Sequence, residues 1–482
     1  RVFEDTLFDF GRSHPILPLK AAGQITHGHA TRLDWKTVCP INKTDEVYII
    51  GNPPYLGSRN QDKEQKDDMK FVFLKDYKSL DYISAWFYKG ANFIKDINAK
   101  CAFVSTNSVC QGLLVSLTWN RILSEQIEID FAHQSFKWVN NAKGNAGVTV
   151  IIVGLRNTSS KPKYLYKDKF KIEAKNINPY LIDASNITVT KAENSISNFP
   201  EMNFGNMPAD GGNLLFTEEE KNVFLKKEPK ADRWIKPLLS AHEFLNGKYR
   251  YCLWLEDVVE DEYNILPLVK ERVDKNEIVR LNSSRPQLAE IPHLFAQITQ
   301  PKNKDFILIP AHSSEKRDYI PIGYFDSSYK ANNSNLVIAT ENPWLFAVVT
   351  SRMHMVWVRN VGGKLKTDYR YSAKLCYNTF PFPNISDKQK ENLNLYVFAI
   401  LDERAKHPSK TMAQMYNPDT MPKGLIKAHQ ELDTAIEQCY RLQPFKNDTE
   451  RLEYLFKQYE EMTKKDTLFA KQKKTRKKKA KK

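Results

Sequence analysis

The side chains best suited to chemistry lie in Ile49-Ile50-Gly51-Asn52-Pro53-Pro54-Tyr55. The apolar run before Gly51 reads as a strand, and the two prolines stop it, because proline fixes φ and carries no N–H. Open α/β sheets bind ligands beyond the carboxyl ends of their strands, where this motif would sit. With the backbone fixed, the Asn52 side-chain oxygen and the Pro53 carbonyl can point at one spot. Two convergent acceptors hold an amino group and turn its lone pair toward an electrophile. The Tyr55 ring offers a face to a planar base. This is amino-group methylation chemistry, in which positioning counts for more than acid–base catalysis. A proline-rich turn after a strand is the competing reading.

Other chemistries find less support. The six cysteines (39, 101, 110, 252, 376, 439) contain no CxxC pair, which argues against a zinc ribbon or disulfide scaffold and fits a reducing cytoplasm. The ten histidines form no HExxH, and His27 and His29, two apart on an expected strand, are read as capping or packing residues and not as metal ligands. There is no Gly-x-Ser-x-Gly, no P-loop and no GxGxxG. Glu173-Ala174-Lys175 after Asp168 has poor spacing for a nuclease. No metal site is expected.

The elements that must position Asn52 fall in residues 20–155. Ile25 to Leu33 reads as a short strand, Tyr82 to Ile94 as a helix, and Ala102 to Val104, Ile127 to Phe131 and Val148 to Val153 as further strands. Alternating strands and helices with apolar strands predict an α/β sheet covered on both faces. A polar stretch near 155–200 suggests a boundary. Residues 200–383 are irregular, rich in short strands, prolines and aromatics. Residues 384–465 are helical in pattern, with helices over Asp387 to Leu401, Leu425 to Leu442 and Thr449 to Met462. The expected layout is a catalytic domain over 1–160, a mixed α+β domain over 161–383, a helical domain over 384–465 and an unstructured basic tail over 466–482.

At 482 residues, the chain has room for several cores. Its 72 Lys/Arg against 57 Asp/Glu give a net charge of +15. Nine of those cations lie in the last twelve residues, KQKKTRKKKAKK, which leaves about +6 for the rest. A mildly basic body with a polycationic tail suits a nucleic acid partner, a solubilising tail being the plainer alternative. No apolar run is long enough for a membrane span, and Arg1-Val2-Phe3-Glu4-Asp5 opens no secretory signal.

Asn-Pro-Pro-Tyr on a strand end resembles the amino-methyltransferases that use S-adenosylmethionine. The longer run GNPPYLGSRNQDKEQKDDM is more specific. It resembles the adenine-specific DNA methyltransferases fused into type II restriction–modification enzymes of the MmeI kind. The likeness continues through ITHGHATRLDW, SLDYISAWFYKGANFI, CAFVSTNSVCQG, FAHQSFKWVNNAKGNAGVTVIIVGL, GNMPADGGNLLF, RDYIPIGYFDSS and TSRMHMVWVRNVGGKLKTDYRYSAKLCYNTFPFP. It implies a partial seven-stranded methyltransferase sheet, a target-recognition domain and a helical C-terminal domain. Asp34, eighteen residues before Asn52, matches the acid that accepts from the cofactor's adenine amino group. Asn52 is implied to lie beside the cofactor, with Asn52, Pro53, Pro54 and Tyr55 forming the catalytic motif. Phe136 matches the aromatic that packs on a flipped adenine opposite Tyr55, expected on a loop after the strand Ile127 to Phe131. Ser105 and Asn107 match the loop after the family's fifth strand. The family's glycine-rich cofactor loop and its ribose-binding acid find no match before Asp34, so a further N-terminal segment carrying them is expected as a partner.

Within 200–383, cations stand beside aromatics. Arg317, Arg352, Arg359, Lys364, Lys366 and Arg370 are candidates for contacts to double-stranded DNA, and Gly362-Gly363 lets backbone approach it. The leading reading is therefore transfer of a methyl group to the N6 amino group of adenine at a specific duplex site. A DNA-recognition fragment without independent catalysis is the second. A protein-glutamine methyltransferase shares Asn-Pro-Pro-Tyr, but an amide substrate needs neither a recognition region nor a basic tail.

Overall fold

A computed structural model describes residues 25–42, 44–138, 148–300, 302–365 and 367–479. They divide into two compact units. The first holds the chain up to Thr106, with Arg121–Pro162 and Tyr166–Asp168; the second holds Asn107–Asn120, Lys163–Leu165 and the chain from Lys169 onward.

In the first unit, β1 (Val47–Gly51) pairs in parallel with β2 (Ala99–Thr106). Strand β3 (Ile127–Trp138) and β4 (Val148–Asn157) continue the order β1-β2-β4-β3, four of the six strands of this sheet, with β4 antiparallel to both neighbours. Helix α1 (Lys63–Phe73) starts at a capping box in which Asp62 and Gln65 satisfy each other's backbone N–H groups. Helix α2 (Ser84–Ile94) covers one sheet face, its Phe87 ring 5.3 Å from Phe103. Gly90 permits the close approach, since a Cβ there would stand 3.0 Å from the Phe103 ring and 3.1 Å from Cys101 Sγ.

Along β2, Ala99, Cys101, Phe103 and Ser105 are buried, while Lys100, Ala102, Val104 and Thr106 are half-buried. The second face of β2 is thus only partly covered, whereas consecutive residues Val153–Arg156 of β4 are all buried, so the middle of the sheet is covered on both faces, as expected. Two expectations need correction. Ile25 to Leu33 forms no strand: Gly28 takes φ +157°, and Arg32 and Leu33 turn back to donate to the His29 carbonyl. His29 therefore opens a turn, and His27 lies in irregular chain before it. Strand β3 runs on to Trp138, past Phe131 where apolar character ends, because register shifts absorb the polar stretch His133-Gln134-Ser135.

The second unit contains two four-stranded sheets and a three-stranded one. Helix α3 (Pro267–Leu281) buries Arg280 completely. The guanidinium donates to the carbonyls of Pro208, Ala209, Leu288, Ile291 and Leu294 at 2.6–3.1 Å. Two of these belong to GNMPADGG, where Ala209, Gly211 and Gly212 take positive φ and Asp210 accepts from Leu214 N–H at 2.6 Å. C-terminal helices run over Asp387–Ala405, Lys423–Tyr440 and Asp448–Lys479. They pack into this same unit: the buried Trp357 ring lies 5.5 Å from Phe456 and 5.8 Å from Tyr459. The last helix extends beyond residue 465, where the sequence placed the start of an unstructured tail. No helix among the described residues is long and apolar enough to cross a membrane.

Candidate active site

Strand β1 delivers the motif to the carboxyl end of the sheet, with Gly51 opposite Phe103. Asn52 is exposed, Pro53 buried, Pro54 exposed and Tyr55 half-buried. Pro53 and Pro54 lack an N–H, so no backbone donor there can tie the turn down. The side chains of Asn52 and Tyr55 carry no hydrogen bond to other described residues. Exposed and unengaged, they are available to a ligand. Beside β1 lies an open cleft of about 780 Å³, lined among others by Leu33, Trp35, Ile50, Asn52, Pro53 and Phe103.

Asp34 sits between two cleft-lining residues. It caps the one-turn helix Trp35–Val38, its Oδ1 accepting from Lys36 N–H at 3.1 Å and its Oδ2 from the Thr37 hydroxyl at 3.0 Å. A carboxylate has about four acceptor positions, so the cap leaves capacity for an amino group. The turn before Asp34 is anchored twice. Lys89 Nζ donates to the Thr31 and Leu33 carbonyls at 3.0 and 2.6 Å, and burial lowers its pKa. Arg32 donates to the buried Asp68 at 2.7 Å, and Tyr82 donates to the same carboxylate at 2.6 Å. Burial alone would raise the Asp68 carboxyl; the bonds from Tyr82 and Arg32 outweigh it and hold the group below its ordinary value.

Phe136 lies inside β3, not on a loop after it. It is half-buried and pairs with Val150, directly after a register shift from His133. Val150 in turn pairs with Thr106, three residues beyond the Phe103 that faces Gly51. The ladder therefore brings Phe136 to the same end of the sheet as the Asn-Pro-Pro-Tyr turn. Ser105 is buried within β2, and Asn107 opens a short 3₁₀ turn that belongs to the second unit.

The cations of the second unit divide. Arg352 is bidentate to Asp448, at the start of the last helix, at 2.8 and 3.0 Å, whereas Arg359 donates to the Asp318 carboxylate at 3.2 Å and to the Arg317 carbonyl at 3.1 Å and holds that segment. Arg317 is partly buried beside Ser313, and burial lowers its pKa. Lys364 stands 5.8 Å from the Tyr369 ring centre. Arg370 is exposed, with no side-chain partner among the described residues. Lys366 lies outside the described residues. Sequence reasoning passed over Gln61, Asp68, Asp81 and Lys89. Their signal was available, since all four fall within the runs that carry the family likeness.

Three family profiles cover the chain in order: the MmeI DNA-methyltransferase domain over residues 3–167, the MmeI target recognition domain over 183–384 and the MmeI C-terminal domain over 385–467. The fold and the motif are those of a methyltransferase domain joined to a target recognition domain. The chain belongs to the MmeI family. DNA methyltransferase A of Bacillus subtilis (strain 168) is 46% identical over 455 residues, covering 93% of this chain and 52% of that protein. The structure of the type IIL restriction–modification enzyme MmeI in complex with DNA matches with a TM-score of 0.83 and 40% identity, over 96% of this chain and 63% of that one. The chain thus spans about half the length of the curated relative.

Proposed function

We propose that the chain is the modification and recognition part of a restriction–modification protein, methylating the N6 amino group of adenine in duplex DNA at a specific site. The observation that carries this reading is the exposed, unengaged Asn52 beside Tyr55 at the carboxyl end of β1. Asn52 Oδ1 and the Pro53 carbonyl accept from the target amino group and turn its lone pair outward. Tyr55 and Phe136 stack on either face of a base taken out of the helix. The apolar walls of the cleft and the spare capacity of Asp34 suit the adenosyl part of S-adenosylmethionine, which when bound supplies the electrophilic methyl group. Arg370, with Lys364 and Lys366, contributes to DNA contact, whereas Arg317, Arg352 and Arg359 serve chiefly the fold. The domain limits near 160, 383 and 465 and a cytoplasmic location belong to the same reading. Methyl transfer from tritiated S-adenosylmethionine to unmethylated DNA tests it.

A second reading, DNA recognition without independent catalysis, is favoured by one observation. Among the described residues no strand pairs with the outer side of β1, where Ile50 is 81% and Tyr48 60% exposed. Such an open apolar edge suits a strand supplied from elsewhere. We propose that an N-terminal segment carrying the glycine-rich loop completes the cofactor site. Calorimetric titration with S-adenosylmethionine separates the readings, since the second predicts no heat of binding for the isolated chain.

Two outcomes follow from the first reading. Phe136→Ala loses about 1–3 kcal/mol of base stacking, and Phe136→Trp retains most of it. 2-aminopurine fluorescence at the methylated position reads the loss, with little change in melting temperature. Unfolding by Phe136→Ala with normal flipping in the folded fraction would make it a core residue. Truncation after Ala470 removes nine cations. It lowers DNA affinity at low salt and flattens the slope of log K against log salt, without changing site preference. An unchanged slope would mean that the tail stays off the DNA.

A further inference from the structure

The residue after the candidate stacking ring is gripped on both its backbone groups. Leu56 N–H donates to Asp81 Oδ1 at 3.0 Å. Its carbonyl accepts from Gln61 Nε2 at 2.9 Å and from Tyr82 N–H at 3.0 Å. Gln61 Nε2 also donates to the Leu80 carbonyl at 3.0 Å. Gln61 and Asp81 are each only 5% exposed. Burying a carboxylate and an amide is costly unless their bonds return the cost. Asp81 Oδ1 also accepts from Ile83 N–H at 3.4 Å, at the start of α2, but the shorter bonds of Asp81 and Gln61 meet on the Leu56 backbone, directly after a turn that its own prolines leave without donors. An apolar pair could fill the same space, but it could not fix Leu56.

We propose that Asp81 and Gln61 are positioning residues, which lock the Tyr55–Leu56 backbone so that the Tyr55 ring is already in place when a base arrives. The inference rests on the methyltransferase reading of Tyr55. It makes the acceptor oxygen of residue 81, and not its charge, the working feature. Misplacement of a positioning element by about 1 Å costs on the order of 10²-fold in rate.

The test uses the whole chain with Asp81→Ala, Asp81→Asn and Gln61→Leu, and two readouts. Amide hydrogen exchange reports the lock itself. Asp81→Ala and Gln61→Leu should speed exchange at Leu56 by at least about tenfold, without speeding exchange in β2. Asp81→Asn, which keeps an acceptor oxygen, should restore protection. Methylation of unmethylated phage DNA should fall about 10–100-fold in kcat for Asp81→Ala, with the KM for DNA little changed and Asp81→Asn near wild type. Unchanged exchange at Leu56, equal damage from Asn and Ala, or unfolding of all three variants would overturn the proposal. If wild type transfers no methyl group, the catalytic reading fails by itself, and the exchange result still decides whether the lock exists.

Discussion

Asn52→Ala is expected to lower methyl transfer about 10²–10³-fold, the usual cost of removing one positioned polar group from a reacting centre. Fold stability should not change, because Asn52 is exposed and its side chain bonds to no described residue. DNA affinity should stay within about threefold, since phosphate contacts elsewhere supply most of it. The separation matters: a turn residue would affect stability and leave the rate intact, whereas an amino-group acceptor does the reverse. Initial rates of tritium incorporation, with filter binding on the same DNA, give both quantities. Activity near wild type in Asn52→Ala would remove the residue from the mechanism.

The second large effect is on stability. Arg280 is fully buried and spends its guanidinium on five backbone carbonyls, with no carboxylate among those partners. Arg280→Met fills much of the volume but strands those acceptors, at about 1–3 kcal/mol for each one that finds no water. A loss of at least about 3 kcal/mol is expected even if most are rehydrated. Arg280→Lys should fare little better, because one ammonium cannot reach carbonyls spread over Pro208 to Leu294. Arg285→Met, at an exposed site five residues on, should change stability by less than about 0.5 kcal/mol. Urea unfolding followed by tryptophan fluorescence reports the difference, since Trp234 and Trp254 lie in the core cluster that helix α3 joins through Val269 and Val273. Equal midpoints for Arg280→Met and Arg285→Met would contradict the role given to the buried guanidinium.

The parts of the fold set by local pattern were legible in the sequence. The helix expected over Asp387 to Leu401 is Asp387–Ala405, and that over Leu425 to Leu442 is Lys423–Tyr440, because helical spacing and a Ser386 capping box need no tertiary information. The strand leading into Gly51 was equally plain, since the glycine and prolines mark its end. What failed depended on contacts distant in sequence. Nothing local tells that β3 absorbs His133-Gln134-Ser135 as register shifts, so Phe136 was assigned to a loop. Arg352 and Arg359 look like surface cations until Asp318 and Asp448 are brought beside them from 34 or more residues away. Gln61 and Asp81 read as ordinary polar residues, and only the fold reveals that both reach Leu56.

The most direct test of the central claim is the chemical identity of the methylated product. DNA from a host without methyltransferases is incubated with the chain and labelled S-adenosylmethionine, digested to nucleosides and analysed by mass spectrometry, with the modified positions read in intact strands. The account predicts labelled N6-methyldeoxyadenosine confined to one sequence context, and its loss in Asn52→Ala. Label in a cytosine or in protein instead of adenine, or methyladenine that persists in Asn52→Ala, would contradict it.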